Sequence, residues 1–158
     1  IARSADFYGP RTRTSVPSIL IFDRYAKGQN ASWLVNDAVK HSFSYTPDVG
    51  KSLALLAENE KSWNQTWHVP TAPNPPTGKE FIGMIAKEFG VPPKYKIVSR
   101  GMIRIAGIFD STIHESYEML YQSKFEYIFD STKFEKTFDF TPTPYSEGIK
   151  HTAASSKA

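Results

Sequence analysis

The sequence has no cysteine among its 158 residues. Disulfide bonds, thiolate metal sites and cysteine nucleophiles are therefore excluded. It also has no apolar run approaching about 18 residues, and no basic stretch followed by an apolar one at its start, so neither a membrane-spanning helix nor a signal peptide is predicted. These absences favour a cytoplasmic protein that has no membrane partner.

Several cofactor and catalytic motifs are absent as well. No Gly-x-Gly-x-x-Gly or Gly-x-x-Gly-x-x-Gly occurs, and such a turn holds a dinucleotide pyrophosphate at a helix N-terminus. There is no Gly-x-Ser-x-Gly nucleophile motif. His41, His68, His114 and His151 do not lie at metal-ligand spacing from one another, so no metal site is predicted. His41 and His68 are interpreted as hydrogen-bonded structural residues.

The charge is nearly balanced, with 19 Lys and Arg against 16 Asp and Glu and a formal net charge of +3. The basic residues are scattered, whereas nucleic-acid binders concentrate them on one face and interleave aromatic residues. No nucleic-acid partner is predicted. A hydrophobic content of 40% is typical of a folded domain, so we expect residues 1–158 to form one folded unit that binds a small-molecule substrate.

The first ten residues predict a buried strand that ends at Gly9-Pro10. Open α/β sheets bind ligands at the carboxyl ends of their strands, and Asp6 and Tyr8, two positions apart, are expected on one face. Arg11 and Arg13 follow the turn and could hold a phosphate or carboxylate through a guanidinium fork. The alternatives are that Asp6 caps a turn, that Tyr8 packs under the sheet and that the arginines are solvated. A core strand at residue 1 also suggests that further chain precedes it.

Helices and strands are predicted to alternate along the rest of the chain. The most secure helix covers residues 77–89, where Thr77-Gly-Lys-Glu80 is a capping box and Gly90 a stop. Another begins at Thr46-Pro47-Asp48, with Asp48 interpreted as a first-turn capping residue. The remaining predictions are helices over residues 15–27, 102–109, 113–121 and 132–138, and strands over residues 31–35, 42–45, 66–69, 95–98 and 127–129.

Six motifs together carry a resemblance to a known family. The opening Arg3-x-x-Asp6-x-Tyr8-Gly9-Pro10 resembles the strand after the catalytic helix in extended and atypical short-chain dehydrogenases/reductases, the NAD-dependent epimerase/dehydratase group. The others follow in the family's order: Ala31-Ser-Trp-Leu34, His41-Ser-Phe-Ser-Tyr-Thr-Pro-Asp-Val49, Thr66-Trp-His-Val-Pro70, Phe129-Asp-Ser-Thr-Lys-Phe134, and Thr141-Pro-Thr-Pro144 with Glu147-Gly148. Each motif is weak alone, but their collinear order makes the resemblance specific.

The resemblance implies an α/β protein, α+β in this fragment: the C-terminal part of a Rossmann-type enzyme, with its last parallel strands and a small helical substrate-binding lobe. The N-terminal dinucleotide-binding part would be absent from residues 1–158, so NAD or NADP would be bound mainly outside this chain. The family's Tyr-x-x-x-Lys acid/base pair is also absent, so the chain alone is not expected to transfer hydride.

The same resemblance implies that Asp6, Tyr8, Arg11 and Arg13 line the substrate and cofactor pocket. Family members often have Asn at the position of Asp6, and an ionised Asp cannot donate a hydrogen bond, so a nucleotide-sugar substrate does not follow.

Two alternatives to an enzyme fragment stay open at this point. One is a non-catalytic module that senses a dinucleotide or binds a protein on the same scaffold. The other is a complete small α+β binding domain. An unpaired terminal strand would expose backbone groups and favour strand exchange, so we also expect a homodimer or partial association.

Overall fold

Short parallel strands and helices alternate along the chain. The computed structural model describes residues 1–106, 108 and 117–157. In these residues the strands are β1 (Ala2–Arg3), β2 (Asp6–Tyr8), β3 (Ala31–Leu34), β4 (Phe43–Tyr45), β5 (Trp67–His68) and β6 (Tyr95–Val98). The helices are α1 (Asp23–Ala26), α2 (Thr46–Glu58), α3 (Gly78–Phe89), α4 (Arg100–Ala106), α5 (Thr132–Phe138) and α6 (Tyr145–Lys157). A π-helical turn, Ser18–Phe22, leads into α1, and 3-10 turns cover Glu60–Ser62 and Tyr117–Tyr121.

The strands form three parallel pairs, β1 with β5, β2 with β4 and β3 with β6. Parallel strands need a crossover connection, and each pair here joins segments that are distant in sequence. The predicted α/β class with parallel strands is therefore confirmed. The predicted strand over residues 127–129 reduces to one isolated bridge, between His41 and Tyr127.

The opening segment forms two strands where the sequence predicts one. β1 pairs with β5, whereas β2 pairs with β4. Between them the Ala5 N–H donates to the Ser44 hydroxyl at 3.2 Å, so the chain leaves one partner strand and joins the next. The prediction of a continuous buried strand was wrong, because both residues of β1 are exposed.

The core is built largely of aromatic side chains. Phe43 and Phe81 stack with their ring centroids 4.4 Å apart. Tyr8 packs against Tyr45 at 5.4 Å and edge-on against Phe81 at 5.7 Å, and Tyr145 lies 6.0 Å from Tyr8. Strands β2 and β4 and helices α3 and α6 each contribute to this cluster, so it joins the strands to both helices.

Helix α3 has the predicted bounds and caps. The Thr77 hydroxyl accepts from the Glu80 N–H, and the Glu80 carboxylate accepts from the Thr77 N–H at 2.8 Å. Gly90 ends the helix with φ +69°, in the left-handed region where glycine lacks the Cβ penalty. The Phe81, Ile82 and Ile85 side chains are buried, which confirms the predicted apolar face.

Replacing Thr77 by alanine is expected to lower the free energy of unfolding by about 1 kcal/mol, because the cap of α3 is lost. The hydrogen bonds from Thr77 lower the pKa of Glu80 below its ordinary value of 4.5. A lowered folded-state pKa stabilises the fold above that value, and the contribution is lost as pH falls through the folded pKa. The difference between wild type and Thr77→Ala, measured by urea unfolding, should therefore be smaller at about pH 3 than at pH 7. Thr77→Ser keeps the hydroxyl and should behave as wild type; equal losses in both variants would contradict the capping role.

Helix α2 departs from its predicted capping. Its N-terminal flanking residue, Tyr45, makes no side-chain cap. Asp48 is only 2% exposed. Its carboxylate accepts from the Thr143 N–H at 2.7 Å and from the Thr143 hydroxyl at 3.0 Å. Asp48 therefore ties α2 to the segment before α6, and its interpretation as a first-turn capping residue was wrong.

The segment between β6 and α5 is only partly described. The predicted helices over residues 102–109 and 113–121 overlap α4 and the Tyr117–Tyr121 turn, and the rest of both, with His114, lies outside the described residues. In the last of the predicted helices the start is one residue earlier than expected, since Ser131 takes the N-cap position of α5. The Ser131 hydroxyl then donates to the Glu135 carboxylate at 2.6 Å.

Candidate functional site

A carboxylate and an imidazole meet at the N-terminal ends of β2 and β4. Asp6 is the first residue of β2, and the register of the pair places it opposite Phe43, two residues after His41. His41 Nε2 lies 2.9 Å from Asp6 Oδ2, although the residues are 35 apart in sequence. The His41 side chain is buried, whereas the Asp6 side chain is 46% exposed. The carboxylate therefore presents a polar edge beside a buried ring.

His41 is held in place from several directions. Its ring packs against Phe43 at 4.7 Å and Tyr127 at 4.9 Å. Its backbone N–H donates to the Pro76 carbonyl at 3.0 Å. On either side, the Tyr127 N–H donates to the Lys40 carbonyl and the Ser42 N–H donates to the Tyr127 carbonyl. Burial raises the pKa of the Tyr127 phenol, and the charge of Asp6 raises it further.

The Asp6–His41 pair opens into a narrow slot between β2, β3 and the helical turn before α1. The space between its walls is about 430 Å³, including open solvent, but only about 30 Å³ of it can hold the centre of a water-sized sphere. Apolar side chains form most of the wall: Val16, Pro17, Leu20, Ile21, Trp33, Leu34, Val39 and Phe43. Asn36, Ser32 and Ser123 add uncharged polar groups. Among the described lining residues none is Lys or Arg.

This arrangement can orient a ligand and handle a proton. A carboxylate hydrogen-bonded to one imidazole nitrogen fixes the ring and its tautomer. Asp6 keeps further lone pairs for a ligand donor. The structure thus places Asp6 beside a cleft, as the sequence predicts, and it reveals His41 as the hydrogen-bonded partner that local pattern did not identify. The pairing of β2 with β4 is the signal that could have linked them.

Tyr8 lies in the core and does not line the slot. Its side chain is 0% exposed, and burial raises the pKa of its phenol. Within the described residues, its hydroxyl has no hydrogen-bond partner. The predicted substrate or cofactor contact stays a prediction, while the packing under the sheet that the sequence offered as its alternative is what the structure contains.

Replacing Tyr8 by phenylalanine is expected to raise the free energy of unfolding by about 1 kcal/mol, because a buried hydroxyl without a partner carries a desolvation penalty. Tyr145→Phe is the matched control, since the Tyr145 hydroxyl accepts from the Phe43 N–H at 3.1 Å. That variant should lose about 1 kcal/mol. Urea unfolding of both variants measures the two signs; equal destabilisation would mean that the Tyr8 hydroxyl is bonded in solution.

Arg11 and Arg13 lie apart from the slot. Both are exposed, and they line a separate depression with Gly9, Asp23 and residues 155–156 near the end of α6. The structure therefore does not bring the four predicted residues into one site: Asp6 faces the slot, Tyr8 the core, and the arginines a second surface. Their predicted role in binding stays a prediction.

Two negative observations apply to the part of the chain that the structure describes. It contains no group of three His, Asp or Glu side chains placed to hold a metal ion. None of its helices is both long and apolar enough to cross a membrane.

Comparison with known proteins gives matches at the level of structure only. No protein-family model and no curated protein matches the sequence. A UDP-glucose 4-epimerase of Thermus thermophilus in complex with NAD superposes with a TM-score of 0.72 at 15% identity, over 99% of this chain and 45% of that one. A Bacillus cereus UDP-glucuronic acid 4-epimerase, solved with UDP-glucuronic acid and NAD, gives 0.70 at 14% identity, over 99% and 44%. RMD of Pseudomonas aeruginosa, complexed with NADPH, gives 0.66 at 13% identity, over 99% and 47%.

The chain spans less than half the length of each of these structures. Identities of this size establish the fold and nothing finer. The resemblance to the NAD-dependent epimerase/dehydratase group is therefore confirmed as a likeness of fold: the protein has the architecture of a little under half of such an enzyme, with parallel strand pairs and a helical lobe beside them.

Proposed function

We propose that this chain is the C-terminal, substrate-binding portion of an NAD- or NADP-dependent oxidoreductase or epimerase, and that it is not catalytic alone. The observation that carries the proposal is the match of 97 to 99% of this chain to 43 to 47% of the nucleotide-sugar enzymes. Several of those proteins were solved with NAD or NADPH, which supports NAD or NADP as the cofactor here.

The chain's own residues do not fit a dinucleotide. Its sequence has no Gly-rich turn to approach the pyrophosphate and no Tyr-x-x-x-Lys pair. The dinucleotide would be held by a preceding portion, and hydride chemistry would be supplied there. This chain would shape the substrate pocket, with Asp6 and His41 at its polar end.

One strand edge and several apolar side chains support a preceding portion. Within the described residues β1 pairs with β5 alone, and its second edge carries no strand. Ile1, Leu53 and Trp63 are exposed, and exposed apolar surface beside an open edge is typical of an interface. We propose that a parallel strand of the preceding portion covers this edge. In its absence a second copy would do so, and sedimentation would find an associated chain rather than a monomer.

Calorimetric titration of NADH and NADPH tests the proposal. The titrants go into the longest product of the gene and, as a control, into the 158-residue chain. Tight binding by the long form and none by the short form is expected, and the tighter of the two titrants identifies the cofactor. Binding by neither form would overturn the oxidoreductase proposal and favour the interaction module.

A further inference from the structure

We infer that the slot beside Asp6 and His41 binds a flat, uncharged, mostly hydrocarbon molecule that carries one hydroxyl group, and not a nucleotide diphosphate. The inference rests on the proposed function in assigning the slot to substrate, but the binding itself needs no dinucleotide. Three properties of the slot lead to it: its charge, its shape and the chemistry of its polar end.

The charge of the slot disfavours phosphate. Proteins hold a diphosphate with Arg or Lys side chains or with converging backbone N–H groups. No Lys or Arg occurs among the described lining residues, and the one carboxylate there, Asp6, would repel an anion. His41 does not offset this repulsion toward a ligand, because its Nε2 is already directed at Asp6.

The shape of the slot favours a thin apolar group. Trp33 and Phe43 belong to its wall, with their ring centroids 6.4 Å apart and nearly perpendicular. Leu20, Leu34 and Val39 contribute aliphatic surface to the same wall. Burying an apolar ring against such surface is favourable by roughly 25 cal/mol per Å². The space is too narrow for a hydrated, branched sugar but suits the edge of one planar ring.

The polar end selects a donor. Asp6 Oδ2 takes the His41 contact, and the half-exposed carboxylate keeps acceptor positions that can take an O–H from the ligand. An ionised carboxylate cannot donate to a carbonyl oxygen, whereas the Asn that family members often have at this position can. The expected ligand class is therefore a phenol or a ring alcohol.

The test uses the 158-residue chain and follows the indole N–H signals of its three tryptophans by NMR. Trp33 reports on the slot, because its Nε1–H donates to the Asn36 carbonyl at 2.9 Å and both residues line it. Trp63 and Trp67 are not lining residues and serve as internal references. The probes are p-cresol, toluene, which lacks the hydroxyl, and UDP-glucose; a Trp33→Phe variant assigns the signal.

We expect p-cresol to shift the Trp33 signal alone, with an affinity about fivefold above that of toluene, the worth of one hydrogen bond. Asp6→Asn, of the same shape, should weaken p-cresol about fivefold. Asp139→Asn, an exposed carboxylate elsewhere, is the matched control and should not change the affinity. Val39→Phe, which fills the slot, should abolish the shift.

Three results would overturn the inference: a Trp33 shift with UDP-glucose but not with p-cresol, equal affinities for p-cresol and toluene, or an unchanged affinity in Asp6→Asn. A folded Asp6→Asn chain is verified by its unchanged Trp67 signal. Failure of this test is distinct from failure of the proposed function, which is decided by the dinucleotide titration of the long form. Binding of p-cresol without any dinucleotide binding would retain the slot and reject the oxidoreductase.

Discussion

Replacing Phe81 by alanine is expected to lower the free energy of unfolding by about 4 kcal/mol, the largest single effect in this chain. Phe81 is 0% exposed on α3. Its ring stacks on Phe43 at 4.4 Å and meets the rings of Tyr8 at 5.7 Å and Tyr145 at 6.3 Å. Truncation therefore removes contacts with β2, β4 and α6 at once. The loss is measured by urea unfolding followed by circular dichroism.

Phe89→Ala is the matched control on the same helix. Phe89 is only partly buried and contacts Tyr25 with their centroids 6.0 Å apart. Because its ring is half solvated, its truncation should cost about 1 kcal/mol. If Phe81→Ala cost no more than Phe89→Ala, the aromatic cluster would not be the centre of stability. Since Phe43 also lines the slot, Phe81→Ala should additionally broaden the Trp33 signal.

Replacing Gly148 by alanine is expected to lower the free energy of unfolding by about 2 kcal/mol, although alanine is the better helix former. A Cβ at this position would lie 2.4 Å from the Tyr8 hydroxyl oxygen, 3.0 Å from Tyr8 Cζ and 3.1 Å from Tyr45 Cδ2. Both rings are fixed in the core, so overpacking costs up to about 3 kcal/mol. The gain in helix propensity offsets about 1 kcal/mol of this.

Gly50→Ala on α2 is the control for helix propensity alone. A Cβ there meets nothing within 4 Å, so this variant should gain up to about 1 kcal/mol. The double variant Gly148→Ala with Tyr8→Phe removes the closest clash, and its loss should be smaller than the sum of the single effects. Additive effects in the urea unfolding of the four proteins would show that the Tyr8 hydroxyl does not set the limit at Gly148.

Local chemistry was enough to predict most of the regular structure. The capping box Thr77–Glu80 and the stop at Gly90 are confirmed at both ends of α3. Thr46-Pro47 does begin α2. These signals succeed because each one acts within a turn of the helix it starts or ends. The resemblance carried by the motifs likewise extends to the fold, since it rests on their order along the whole chain.

Predictions that depended on a strand's neighbours were less successful. Alternation places Asp6 and Tyr8 on one face, yet Asp6 is half exposed at the slot and Tyr8 is buried in the core. The two ends of β2 meet different surroundings, because α3 and α6 cover only the end that carries Tyr8. Period-2 alternation contains no information about where a covering helix stops.

The sequence by itself determined the alternation of helices and parallel strands, the caps of α3 and the absence of any dinucleotide-binding turn, because each of these is written in residues that lie close together in the chain. Only the tertiary structure decided which residues form the candidate site. The contact of Asp6 with His41 at 2.9 Å spans 35 residues and exists because β2 pairs in parallel with β4 at one particular register. That register depends on the shared aromatic core, whose packing energy is a property of the whole fold and not of any one segment.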